Sequence, residues 1–94
     1  MKQAKTKTLT ASGVVSLVPI TVWSVDICFG AVSPGIMTLD NSTDGSGTEK
    51  VSVATTNTEG YKSLEFPDGM NFSTACYGTK GTNAATSTIT YTVN

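Results

Sequence analysis

The chain has 94 residues, with six lysines, no arginine, seven acidic residues, no histidine and a formal net charge of −1. It therefore lacks the usual general base, the commonest metal ligand and the bidentate phosphate clamp. Charged residues are 14% of the chain, against about 25% in an ordinary soluble domain, which excludes the clustered basic surface of a nucleic-acid binder and leaves little self-repulsion.

Seventeen threonines, ten serines and nine valines against four leucines favour strands over helices, and the length fits one small domain. Residues 1–12 carry Lys2, Lys5 and Lys7 and hardly any apolar side chain, with no acid before Asp26. That composition predicts a flexible basic arm ahead of a β domain over 13–94, ordered only against an acidic or polymeric partner. From Val14 onward the pattern has period two. Val14 to Val18 is a short strand stopped by Pro19, which has no N–H for a ladder. Over Thr21 to Gly30, Trp23, Val25, Ile27 and Phe29 share a core face, and Val22, Ser24, Asp26 and Cys28 the opposite one. After a turn at Ser33-Pro34-Gly35, Ile36 to Asp40 puts Met37 and Leu39 on one face.

Asn41 to Thr48 is a polar, glycine-bearing hairpin tip, and Glu49 to Thr55 returns with Val51 and Val53 inward. Following a turn over Thr56 to Gly60, Tyr61 to Phe66 directs Leu64 and Phe66 one way and Ser63 and Glu65 the other. A corner at Pro67-Asp68-Gly69 leads into Met70, Phe72 and a strand through Tyr77. Gly78 to Thr86 is a loop, and Ser87 to Val93 closes the chain with Ile89, Tyr91 and Val93 inward. The expected fold is all-β: a single small antiparallel β-sandwich of about seven or eight short strands. Its outward positions are Thr and Ser rather than Lys and Glu, a surface cheap to bury against neighbouring subunits because hydroxyls carry no charge to desolvate.

No apolar run reaches the length of a signal-peptide core or a membrane span, because Ser16, Pro19, Thr21, Ser24 and Asp26 interrupt the apolar stretch after the first lysines. The expectation is a soluble chain made in a cytoplasm, with no membrane or nucleic-acid partner and with Cys28 and Cys76 as free thiols on opposite faces. Asp40-Asn41-Ser42-Thr43-Asp44-Gly45 opens like a calcium loop, but its twelfth position is Val51 where a bidentate Glu belongs, so a hairpin tip is the better reading. Asn41 and Asn71 begin glycosylation sequons that an unsecreted chain leaves unmodified. Asp26 and Glu65, both outward on strands, lack any partner base or nucleophile arrangement. The chain is expected to have no catalytic residue, no cofactor and no metal, and not to be an enzyme.

The segments I-T-V-W-S-V-D-I, S-P-G-I-M-T-L-D, T-D-G-S-G-T-E-K-V, L-E-F-P-D-G-M-N-F-S-T-A-C-Y-G-T and S-T-I-T-Y-T-V follow one another from Ile20 onward. Together they resemble small β-sandwich virion proteins of tailed bacteriophages, which share "G-x-x-x-L-x-D", "D-G-T/S-x-x-G-T" and "F-P-x-G-I-x-F-S-T-G-L-Y" around similar strands. Here Ala75-Cys76 replaces the small-then-Leu pair, and Trp23 stands where an aromatic or aliphatic is usual. The resemblance implies a structural role and carries over no catalytic residues. It implies a head decoration or cement protein that binds the major capsid protein as a homo-oligomer, such as a trimer, on the virion surface. Lys2, Lys5 and Lys7 are the expected partner-binding residues. A receptor- or glycan-binding module of a head or tail fibre, and a tail-tube or connector subunit, are the alternative readings.

Overall fold

The computed structural model describes residues 3–29, 36–54, 61–81 and 84–94. These residues form strands and connections, with no helix among them: β1 Lys5–Leu9, β2 Gly13–Ser16, β3 Ile20–Phe29, β4 Ile36–Asn41, β5 Thr48–Ala54, β6 Tyr61–Phe72, β7 Cys76–Lys80 and β8 Ala84–Val93. The expected turns at 33–35 and 56–60, Lys2 and the Phe29 side chain lie outside the described residues.

Two four-stranded sheets result. Sheet A has the order β1-β8-β3-β6 and sheet B the order β2-β7-β4-β5, and every neighbouring pair is antiparallel. The pairs β1–β8, β2–β7, β3–β6 and β4–β5 are nested, so the chain is one long antiparallel ribbon doubled back at the 41–48 hairpin. Rolling that ribbon brings β3 against β8 and β4 against β7, which closes the two sheets. This is the eight-stranded jelly-roll arrangement of a β-sandwich. Only the β4–β5 connection stays within one sheet; every other one crosses between layers.

The core lies between the layers. Ile20, Val22, Val25, Ile27, Phe72 and Ile89 project from sheet A onto Met37, Leu39, Val51, Val53 and Cys76 of sheet B. Phe72, Ile20, Ile27 and Ile89 are wholly removed from solvent, and each such side chain contributes about 1.5–3 kcal/mol by burial. Gly78 makes room at the centre: a Cβ there would collide with Leu9 Cδ1 and come within 3.0 Å of Met37 Cε.

Five expectations are corrected. The arm over 1–12 is not a separate flexible segment through its length, because Lys5–Leu9 pair in unbroken register with Tyr91–Ser87 of β8 and Leu9 is buried in the core. Lys-Thr-Lys-Thr-Leu alternates with period two, and the one apolar residue supplies the anchor. Trp23 is not core. Val22 faces Tyr91 while Ser24 faces Thr90, so Trp23 is an extra residue in β3, and this bulge shifts the phase of the strand. Ile20 and Val22 therefore point inward before the bulge, and Val25 and Ile27 after it. The Pro67-Asp68-Gly69 corner lies within one continuous strand, where residues 66 to 69 bulge opposite Trp23, between the pairs Ser24–Glu65 and Val22–Met70. Gly69 has φ +80°, a conformation that side-chain-bearing residues rarely adopt. The strand expected to continue from Met70 through Tyr77 breaks after Phe72 and resumes at Cys76, while β7 extends to Lys80 and β8 begins at Ala84.

Candidate functional site

The outer face of sheet A is built from one register. Thr6 of β1, Thr90 of β8, Ser24 of β3 and Glu65 of β6 lie side by side in one row, and Thr8, Thr88, Asp26 and Ser63 in the next. A third row places Thr86 beside Cys28 and Tyr61. Neighbouring strands are about 4.8 Å apart, so these side chains form a close lattice of hydroxyls. Thr8 Oγ1 and Thr88 Oγ1 are 3.1 Å apart and share a hydrogen bond. The charges on this lattice, Asp26 and Glu65, are both acidic. The lysines of these strands, Lys5, Lys7 and Lys62, take the inward phase of Leu9 and Leu64.

The β3 bulge turns Trp23 onto this face, beside Thr92. Its Nε1–H donates to Thr92 Oγ1 at 3.0 Å, which satisfies the indole's single polar atom and fixes the ring. Trp23 remains 38% exposed. On its other flank Gly69 approaches so closely that a Cβ there would lie 3.2 Å from Trp23 Cη2 and clash with Thr21 Cγ2 at 2.5 Å.

Asp26 is the best-tethered acid of the face. Its Oδ1 accepts from Ser63 Oγ at 2.6 Å and from Tyr61 Oη at 3.0 Å. Donating to Asp26 raises the Tyr61 phenol above its ordinary value, because removing that proton would place two anions side by side. Tyr61 is 58% exposed, its ring standing on the face while its hydroxyl is held.

Of the residues expected to bind a partner, Lys5 and Lys7 are exposed on β1, the edge strand of sheet A, and Lys2 lies outside the described residues. Charged side chains at inward positions of an edge strand oppose indiscriminate strand pairing. Both cysteines are free: Cys28 is exposed on sheet A, and Cys76 is buried in sheet B. Burial, and then the negative charge of Asp40, push the Cys76 thiol up to about 12.

At the tip of the 41–48 hairpin, Ser42 and Asp44 turn their side-chain oxygens on the hairpin itself. Ser42 Oγ accepts from the Gly45 amide at 2.9 Å, and Asp44 Oδ1 accepts from the amide and hydroxyl of Ser46 at 3.0 and 2.6 Å. The Ser46 hydroxyl, and secondarily its amide, hold the Asp44 carboxyl below its ordinary value. Among the described residues no group of three or more His, Cys, Asp or Glu side chains converges as metal ligands would. The two sequon asparagines are structural ties: Asn41 bonds Ser73, Thr74 and Ala75, and Asn71 accepts from Asn94.

The outward aromatic pair, Trp23 and Tyr61, has no simple sequence signal for Trp23, since strict alternation assigns it to the core. The signal that was available is the Pro67-Asp68-Gly69 run, whose bulge faces Trp23. Comparison with known proteins finds no matching family model, no similar curated protein and no matching solved structure.

Proposed function

We propose that this chain is a structural virion protein of a tailed bacteriophage, a capsid decoration or cement protein that binds the major capsid protein in multiple copies on the head surface. The jelly roll recurs in viral capsid domains and in lectins, so the architecture is compatible with the reading without carrying it. The observation that carries it is β1. This edge strand has one side bonded to β8, and it is where the exposed Lys5 and Lys7 lie. A strand edge offers backbone donors and acceptors to an extended segment of a neighbour, and the lysines select an acidic one. The low overall charge suits a protein packed densely beside its copies.

The test uses heads of the encoding phage assembled without this chain, to which purified protein is added and copy number is read by gel densitometry. Wild-type protein should load many copies per head. Lys2→Gln/Lys5→Gln/Lys7→Gln should load fewer and lose most of the salt dependence, since screening acts on the charge attraction. Charge substitution is the right perturbation, because deleting residues 2–8 would remove most of a core-anchored strand. Heads that take up no wild-type protein, or take up the triple variant equally at physiological salt, refute the reading.

A further inference from the structure

We propose that the outer face of sheet A between Trp23 and Tyr61 binds a neutral oligosaccharide. This goes beyond the shell-binding reading and does not rest on it: β3 and β6 lie two and three strands from the β1 edge, about 10–15 Å away.

A sugar ring presents an apolar C–H face and a rim of hydroxyls, and recognising it takes an exposed aromatic plane next to fixed hydrogen-bonding groups. The face supplies both. Trp23 is exposed, yet its ring is oriented by the bond to Thr92, so little freedom is lost when a ligand stacks on it. Asp26 is held at Oδ1 by Tyr61 and Ser63, and a carboxylate has about four lone-pair sites, so accepting capacity remains at Oδ2 for sugar hydroxyls. Ser24 and Glu65 stand side by side in the row between Trp23 and Asp26. Hydroxyls and carboxylates accept from, and hydroxyls also donate to, the mixed rim of a sugar.

Length and charge narrow the ligand. Tyr61 pairs with Cys28, five positions along β3 from Trp23, which is about 16 Å at the rise of a strand. That is the spacing of their backbones. The Tyr61 hydroxyl leans back to Asp26, three positions from Trp23, which still leaves about 10 Å of strand. This is longer than one sugar ring, so the ligand is a chain of more than one unit. The outward positions of the rows hold Asp26 and Glu65 and, among the described residues, no lysine. Sialylated, uronic or sulfated chains would meet like charge there, and neutral chains would not.

Trp23 is the only tryptophan, so its emission reports occupancy of this face directly. The experiment screens the full chain against printed neutral and sialylated oligosaccharides, then titrates cellotetraose, maltotetraose, chitotetraose and any array hit while following Trp23 fluorescence. At least one neutral tetrasaccharide or longer chain should shift the emission, and its monosaccharide should bind at least tenfold more weakly. Tyr61→Ala and Asp26→Asn, which leave Trp23 as the reporter, should each weaken binding severalfold. Trp23→Ala, checked for a native circular dichroism spectrum and read by calorimetry, should weaken it tenfold or more. Lys5→Gln should leave it unchanged. Absence of binding to every neutral chain at millimolar concentration overturns the proposal, as does preference for sialylated chains. Binding unaffected by both Tyr61→Ala and Asp26→Asn overturns it too. A concentration-dependent emission shift without sugar, accompanied by dimers in sedimentation, assigns the face to a second copy of the chain and also overturns it.

Discussion

Gly69 lies tight against the Trp23 indole: a Cβ there would lie 3.2 Å from Cη2 and 3.3 Å from Cζ3, closer than an ordinary contact, and would collide with Thr21 Cγ2. The φ of +80° is a second reason for glycine. Gly69→Ala should therefore destabilise the protein by about 1 kcal/mol or more and move the indole off its bond to Thr92. Chemical denaturation measures the first effect. A changed Trp23 emission maximum in the native state measures the second. An unchanged spectrum with unchanged stability would mean that the bulge has other ways to relax.

Leu9 joins the N-terminal strand to the core, seated over Gly78. Leu9→Ala should cost about 2–5 kcal/mol, toward the lower end because an edge strand relaxes easily. The loss should be local first. Amides of β1 should exchange with solvent much faster than those of β3 in the variant, as native-state hydrogen exchange can show. Equal slowing or speeding across both strands would mean that β1 unfolds only with the whole sandwich.

Phe72 has no exposed surface and lies opposite Ile20 where β6 ends. Phe72→Ala should cost about 3–5 kcal/mol, a large share of a small domain's stability. Trp23→Phe, on the outer face, should cost far less. Parallel thermal melts decide the matter: comparable losses would return Trp23 to the core.

Much of this fold was legible from period two. Val25, Ile27, Met37, Leu39, Val51, Val53 and Ile89 are inward as alternation predicts. Alternation fails where a residue is inserted, because one extra position reverses the phase. Counting inward from Ile27 assigned Trp23 to the core and Val22 to the surface, the reverse of what the bulge produces. The arm was misread for a different reason. Its partner β8 lies at the far end of the chain, so Lys-Thr-Lys-Thr-Leu looked too polar to fold alone. The candidate site was less legible still. Asp26, Tyr61 and Ser63 converge only once β3 and β6 are known to pair, and local sequence does not encode that pairing.

The two thiols should behave oppositely. Cys28 is exposed and should react promptly with an aromatic disulfide reagent at pH 8, while Cys76 should react only on the timescale of unfolding. With its folded pKa raised to about 12 from 9.0, Cys76 holds its proton more tightly in the native state. Its contribution is full below pH about 9 and is lost as pH rises from there toward 12, so alkaline denaturation should begin in that window. Cys76→Ala should remove that part of the alkaline sensitivity. Two fast-reacting thiols at pH 8 would contradict the buried placement.

The hairpin at the centre of the ribbon should be acid-labile. Asp44, accepting from the Ser46 amide and hydroxyl, has its pKa lowered below 3.8, so it is the carboxylate that favours the folded tip. The sign follows from linkage: the contribution is complete above the unfolded value and disappears as pH falls through the lower folded one. Asp44 should titrate by NMR below the ordinary aspartate range, and the Ser46 amide should lose protection in the same interval. Asp44→Asn keeps an acceptor for Ser46 without the charge, so its tip should hold its protection as pH falls, with whatever bond strength it retains now insensitive to acid. A wild-type Ser46 amide that keeps its protection to pH 2 would remove Asp44 from this role.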